Sequence, residues 1–319
     1  MAPAYLTLAR GIIMGFRPLN LLLILGLHKL TQWLMIKDSR GLYQETSLLE
    51  LRHGLDQLMW ASLILATAGY IINDYYDQRA DRINKPEKVS NVLIKNPAVF
   101  WSIWTGLNLL AFTLGFNIDA MTKQTNYGAL FIGISAVLWG YNLSKWSKFF
   151  IGPLLISLFV SLNLVLVQDF VLNGHSMALV EDFSIQQTYL DLASKTHWIW
   201  RIAFLGFITN FIREIIKDIE DINGDQNIGR HTIPIILGIE RTAKVATALG
   251  IILILSLGTF TAIALNSSIP LSVNLTLVMI LALWITFKSA KIEQPSQAKS
   301  LSLKLKLLLA LGLLCLFWL

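Results

Sequence analysis

Apolar stretches of about twenty residues recur along the chain at approximately 16–36, 57–76, 97–116, 127–143, 150–171, 197–217, 243–265, 269–287 and 301–319. Backbone N–H and C=O groups left unpaired are too costly in lipid, so crossing a bilayer core about 30 Å thick takes roughly 20 mostly apolar helical residues. The repeated length therefore predicts an all-α membrane protein of about nine transmembrane helices, organised as one domain over residues 1–319. Pro97, Gly152-Pro153 and Pro270 punctuate the runs as boundary signals. Composition agrees: 55% of residues are hydrophobic and only 14% charged, whereas soluble domains carry roughly 25% charged residues. That deficit excludes an ordinary soluble enzyme and a disordered tail. The net charge of +6 does not restore a nucleic-acid module, because Lys and Arg lie between apolar runs and not along one stripe. A single cysteine, Cys315, excludes a disulfide framework and a cysteine-based metal site. The first 36 residues lack a small-residue cleavage site and are interrupted by Arg17, so they read as a first membrane helix and not as a removable signal peptide.

Alternate connections fall on opposite sides of the bilayer, which lets the basic residues be sorted. One side holds Arg10, Arg79, Arg82, Lys85, Lys88, Lys95, Lys145, Lys148, Arg230, Arg241, Lys244, Lys288, Lys291 and Lys299; the other holds Lys37, Arg40, Arg52, Lys123 and Lys195. A ratio of roughly three to one assigns the first side to the cytoplasm under the positive-inside rule. The expected location is a multi-pass protein of a prokaryotic plasma membrane.

Two acidic runs stand at the cytoplasmic ends of the second and sixth stretches: Asn73-Asp74-Tyr75-Tyr76-Asp77-Gln78-Arg79-Ala80-Asp81 and Lys217-Asp218-Ile219-Glu220-Asp221-Ile222-Asn223-Gly224-Asp225. With Asn73 aligned on Lys217, three aspartates coincide: Asp74 with Asp218, Asp77 with Asp221, and Asp81 with Asp225. Offsets of zero, three and seven place each set within about 60° of one helix face. The match indicates two related halves with these stretches as counterparts. Six carboxylates on two helix ends repel one another unless a cation lies between them. Hard oxygen donors, one or two carboxylates per ion with phosphate oxygens completing the shell, suit Mg²⁺. The expected arrangement is two aspartate walls with Mg²⁺ and a diphosphate between them. A solvated acidic loop would account for one such run, but not for two of matched spacing at equivalent points.

Basic residues near these runs suit an anionic ligand. Lys217 lies one turn before Asp221 and Arg213 one turn before Lys217, while Arg79, Arg82, Lys85 and Lys88 follow the first run. Their competing role is positive-inside anchoring. Arg17, inside an apolar stretch, requires a partner, which a diphosphate or an aspartate would supply; the competing account is snorkelling. Asn20 lies one turn further along. The five histidines show no metal-ligand spacing and read as packing residues.

These residues resemble the UbiA superfamily of intramembrane prenyltransferases. Its first motif, Asn-Asp-x-x-Asp-x-x-x-Asp, is matched by Asn73, Asp74, Asp77 and Asp81, continuing into Asn84-Lys85-Pro86. Its second, Lys-x-x-x-Asp-x-x-x-Asp, is matched by Lys217, Asp221 and Asp225. Arg17-Pro18 matches a further element, and Tyr141 with Lys145 resembles the Tyr-plus-basic segment after span 4. This chain has Arg213 where many members carry Tyr, and Lys88 where Arg is frequent. Arg17-Pro18-Leu19-Asn20 and the run from Arg213 to Asp218 look most like digeranylgeranylglyceryl phosphate synthase-type members.

The resemblance implies a bundle of two pseudo-repeated halves around a central cavity, with motif 1 at 73–88 and motif 2 at 213–225. It implies Mg²⁺-dependent transfer of a polyprenyl group from a prenyl diphosphate to a lipophilic acceptor, geranylgeranylglyceryl phosphate being the first expectation. An aromatic acceptor such as 4-hydroxybenzoate or dihydroxynaphthoate is the alternative. Catalytic roles fall to Asp77, Asp81, Asp221, Asp225 and Lys217, and metal binding to Asn73, Asp77, Asp81, Asp221 and Asp225. Substrate contacts fall to Arg17, Asn20, Asn73, Asp74, Tyr141, Lys145, Arg213 and Asp218. Aromatic faces for a carbocation are expected from Tyr75, Tyr76, Tyr141 or Phe211, and loops at 74–96 and 218–242 are expected to cap the site. A secondary transporter is the rival class, but its ion sites lie near the bilayer midplane, whereas these aspartates cluster at span ends. A non-catalytic prenyl-lipid-binding member would not need intact carboxylates in both halves.

Overall fold

A computed structural model describes residues 17–39, 45–84, 96–122, 126–143, 149–173 and 183–319. Among the described residues the chain is helical, without strands. The helices are α1 (Pro18–Ser39), α2 (Glu45–Asn84), α3 (Pro97–Thr122), α4 (Tyr127–Leu143), α5 (Ile151–Asn173), α6 (Phe183–Glu220), the short α7 (Ile222–Asn227) and α8 (Ile233–Leu237), then α9 (Ile239–Leu265), α10 (Ile269–Ser289) and α11 (Pro295–Leu313), closed by a 3-10 turn at Leu314–Trp318.

Among the described residues, seven helices are long and apolar enough to cross a bilayer: α1, α2, α3, α5, α9, α10 and α11 with its closing turn. Each of the nine expected stretches falls on a helix, and among the described residues length and composition by themselves establish seven of the nine as spans. Helix α4 has only 17 residues, and the apolar run of α6 is broken by Arg201, Arg213, Glu214 and Lys217. The chain is an integral membrane protein of the all-helical class.

Helices α2 and α6 have 40 and 38 residues, about 60 Å each at 1.5 Å per residue. That is twice the hydrocarbon thickness, so their polar C-terminal turns carry the acidic runs beyond the apolar zone. The packing order repeats between the halves. Helix α1 packs on α2, α2 on α3 and α3 on α4; α5 packs on α6, α6 on α9 and α9 on α10. Helix α11 then lies against α6, α10 and α1, which closes the ring around a central cavity.

Small residues allow the close crossings, as lipid-embedded helices require. A Cβ on Gly115 of α3 would lie 2.8 Å from the Phe131 side chain and 2.9 Å from Gly128 Cα on α4. The Ser135 hydroxyl donates to Asn108 Oδ1 at 2.5 Å across the same pair. The Asp119 carboxylate accepts from the Tyr127 and Gly128 amides at 2.6 and 2.9 Å, capping the N-terminus of α4 with the charge its dipole favours. Large apolar side chains face outward, among them Leu109, Phe116, Leu255, Leu277, Ile280 and Phe287. The outer wall is built for lipid, and the polar residues turn inward.

Candidate active site

The cavity opens among α1, α2, α4, α5, α6, α9, α10 and α11 and has a volume of about 230 Å³. Its polar end is formed by the C-terminal turns of α2 and α6 with the segment that follows α6. Helix α2 continues unbroken through Asn84, because no glycine or proline stands between Gly69 and Pro86. Residues 74–84 are therefore helical and not part of a loop, and the rest of the expected cap at 85–95 lies outside the described residues. On the other side α6 ends at Glu220. Asp221 (φ −93°, ψ 4°) marks the break, and the chain restarts as α7. The second motif thus spans a helix end and a bend, and does not share one helix face.

Asp77 and Asp81 on α2, and Asp218, Asp221 and Asp225 on the other side, all line the cavity, together with Asn73, Lys217, Arg17, Asn20, Tyr141 and Arg213. The Asn73 amide donates to Asp77 Oδ2 at 2.6 Å. Lys217 Nζ is 4.0 Å from Asp221 Oδ2. Asp74 is the exception among the motif aspartates. It is buried off the cavity wall and accepts from Arg17 Nη2 at 2.8 Å, so it fixes the arginine and does not face the ligand space. Arg17 also stacks over the Tyr70 ring, 4.9 Å from its centroid, and it has a positive φ of 49°, a conformation that costs about 1–2 kcal/mol for a residue with a Cβ. Lys145 lies outside the described residues.

Three of the expected aromatic faces are used elsewhere. Tyr75 stacks on Phe100 at 4.1 Å, Tyr76 meets Tyr75 edge-on, and Phe211 stacks on Phe207. Tyr75 and Tyr76 are one and two helical steps from Asp74, about 100° and 200° around the helix, and so pack toward α3. Tyr141 and Tyr70 are the aromatic residues lining the cavity near the charged groups.

Its position in the sequence marks Arg230 only as a cytoplasmic base, and the structure places it between the two acidic motifs. One terminal nitrogen donates to Asp225 Oδ1 at 2.7 Å and the other to Asp77 Oδ1. Burial opposes the charge on Arg230, but Asp77 and Asp225 outweigh it and raise its pKa above the ordinary arginine value. Local structure aims it there. Gly229 takes a left-handed φ of 67°, which glycine adopts without a Cβ penalty, and the turn folds the Arg230 side chain back over α7. The only prior signal was its position five residues after Asp225, behind a glycine.

Asn84 ties the two motifs at the backbone. Its Nδ2 donates to the Asp221 carbonyl at 2.8 Å, and its Oδ1 accepts from the Gly224 amide at 2.9 Å. The acidic runs therefore face each other closely enough for one guanidinium to bridge them.

The donor set also fits divalent metal. Asp218 Oδ2 is buried without a hydrogen-bond partner, with Asp225, Glu214 and Asp221 among its charged neighbours. Among the described residues, no three carboxylates converge into a self-sufficient cage. That pattern matches Mg²⁺, which takes one or two carboxylates and completes its octahedron with water and phosphate oxygens.

Residues 49–314 match the model of the UbiA prenyltransferase family, and the chain belongs to that family. It is 30% identical to the digeranylgeranylglyceryl phosphate synthase of Methanosphaera stadtmanae over 191 residues, covering 59% of this chain and 60% of that protein. The same-named protein of Methanoregula boonei is 30% identical over 199 residues, 61% of each chain. The chain thus spans about three-fifths of the length of the curated relatives it matches. A solved structure concerned with digeranylgeranylglyceryl phosphate synthase in membranes superposes with a TM-score of 0.62 at 18% identity, covering 97% of this chain and 96% of the other. A UbiA homologue of Archaeoglobus fulgidus bound to DMAPP and Mg²⁺ superposes at 0.56 with 16% identity, over 99% and 100% of the two chains.

Proposed function

We propose that this UbiA-family protein transfers a prenyl group from a prenyl diphosphate to a glycerophosphate ether lipid in a Mg²⁺-dependent reaction. The observation that carries this reading is the Arg230 bridge between Asp77 and Asp225, which sets the two acidic motifs face to face at the polar end of a cavity with an apolar depth. The names of the archaeal relatives support the acceptor class, and the diphosphate and Mg²⁺ bound by the Archaeoglobus homologue support the donor class. The active site faces the cytoplasm of a prokaryotic plasma membrane on the basic-residue asymmetry.

Asn73, Asp77, Asp81, Asp218, Asp221 and Asp225 would hold Mg²⁺, which supplies charge neutralisation for a departing diphosphate. The remaining work falls to the chain itself. Lys217 and Arg17 donate hydrogen bonds to the anionic head as charge develops on its oxygens, and Asp74 keeps Arg17 aimed. Leu253, Leu257, Leu275 and Val278 line the apolar depth of the cavity, where the isoprenoid tail escapes water and the allylic centre is shielded from hydrolysis. The acceptor hydroxyl oxygen forms the new C–O bond as the donor C–O bond breaks with its electron pair on diphosphate, and the hydroxyl proton passes to the released diphosphate.

The test is an assay of purified protein with geranylgeranyl, farnesyl and longer diphosphates. Each is offered against geranylgeranylglyceryl phosphate, 4-hydroxybenzoate and dihydroxynaphthoate. Transfer to the glycerophosphate ether is expected; turnover of an aromatic acceptor alone would reassign the substrate, and turnover of none would overturn the reading.

A further inference from the structure

Lys306 lies on α11, a helix apolar enough to span the bilayer, and its side chain lines the cavity. Among the described residues it makes no hydrogen bond or ion pair. A cation on a spanning helix is expensive unless it has a partner or a ligand. Its charged neighbours are Arg213, Arg17, Lys217 and Glu214. In this cluster Arg17 is paired with Asp74, Arg213 with Glu214 and Lys217 with Asp221, so four cations meet three carboxylates and Lys306 is the one left over. A phosphate monoester, with about −2 charge near neutral pH, offsets such an excess.

A second observation points the same way. Arg213 is 7% exposed, and its Nε has no hydrogen-bond partner. An unmet buried donor carries a penalty of its own, which an anionic oxygen would relieve. Arg213 lies eight residues before Asp221, about 12 Å along α6. Arg213 therefore sits below the acidic rim, and it shares the cavity wall with Lys306. The apolar side chains of Leu309 and Leu313 line the cavity further along α11.

We propose that Lys306, with Arg213, forms a second anion subsite beneath the acidic motifs that seats the phosphate monoester of the acceptor. The acceptor assignment rests on the function proposed above. The subsite selects for phosphate on an alkyl chain, places the acceptor hydroxyl beside the donor carbon, and needs no metal.

The experiment measures binding in EDTA, to purified full-length protein in detergent, by intrinsic tryptophan fluorescence. The probes are a long-chain alkylglycerol phosphate, the same alkylglycerol without phosphate, and inorganic phosphate. Wild type is expected to bind the phosphorylated lipid at least tenfold more tightly than the alcohol, and Lys306→Met to lose roughly tenfold, about 1.4 kcal/mol. Lys306→Arg is expected to restore most of the affinity. Removing the charge eases membrane insertion, so Lys306→Met is expected to fold. Inorganic phosphate binding as tightly as the lipid would indicate a free-anion site and overturn the acceptor role. Equal lipid affinity in wild type and Lys306→Met would overturn the subsite, even if the protein alkylates the glycerophosphate ether. Conversely, loss of metal-free binding in Lys306→Met without turnover of that ether would leave the subsite standing and overturn the acceptor assignment.

Discussion

Asn84 and Gly224, 140 residues apart in sequence, are in direct contact: the Gly224 amide donates to Asn84 Oδ1 at 2.9 Å, and a Cβ on Gly224 would fall 2.4 Å from Asn84 Nδ2 and 2.5 Å from the Ala80 carbonyl. The seam between the two acidic motifs thus depends on a residue with no side chain facing a residue with a two-way amide.

Gly224→Ala must push α7 away from α2, because one of the atoms it meets is backbone. Overpacking of this kind typically costs 1–3 kcal/mol. The expected outcome is a lower unfolding temperature and at least a tenfold loss in kcat/KM for the prenyl diphosphate. Asn84→Ala, which opens the seam without a clash, is expected to reduce kcat/KM with a smaller stability change. Thermal unfolding and steady-state kinetics on the purified variants check both.

Asp77→Asn and Asp221→Asn each remove a charge from one side of the rim while preserving shape. Transfer is expected to fall by at least a hundredfold, in line with the loss of a group that stabilises developing charge, with the helical circular dichroism spectrum retained. Activity is also expected to vanish in EDTA and to return with Mg²⁺. Near-normal turnover in either variant, or full rate after chelation, removes these carboxylates from the metal site.

Arg230 supplies the positive charge that holds Asp77 and Asp225 together in the metal-free protein. Arg230→Gln leaves the buried Asp225 and the half-buried Asp77 facing each other, and breaking a fully buried pair from one side costs about 3–5 kcal/mol, an upper bound here. The variant is expected to melt lower than wild type in EDTA and to gain more stability from added Mg²⁺. Equal melting temperatures in EDTA would show that the bridge does not stabilise the rim.

Asp74 is expected to act through Arg17. Asp74→Asn and Arg17→Gln are predicted to raise the KM for the diphosphate donor, with the double variant little worse than the more damaging single one, as residues in one network couple. Additive losses in the double-mutant cycle would mean that Asp74 has a separate role.

Much of the architecture was legible in the sequence because the rules involved are local. Apolar runs of bilayer length read as helices, and aspartates at offsets of zero, three and seven identify a helix face without any knowledge of neighbours. Two departures came from the same local reading taken too far. The α2 helix runs on through Asn84 because charged residues do not end a helix, and motif 2 breaks at Asp221 although its spacing matches motif 1. Tyr75 and Tyr76 were near the aspartates in sequence, yet the helical turn directs them to Phe100 and α3. Asp74, identical in type to Asp77, faces Arg17 while Asp77 faces the cavity.

The amino-acid order alone determined the lipid-embedded helical class, the two related halves and the pair of acidic runs, since helix period and hydrophobic length act within a few turns of chain. Tertiary structure decided which charges meet: Arg230 with Asp77 across 153 residues, Arg17 with Asp74 across 57, and Lys306 on the same cavity wall as Arg213. Those encounters are set by how α1, α6 and α11 pack around the cavity, and electrostatic partnership depends on separation in space, which residue spacing along a chain does not encode.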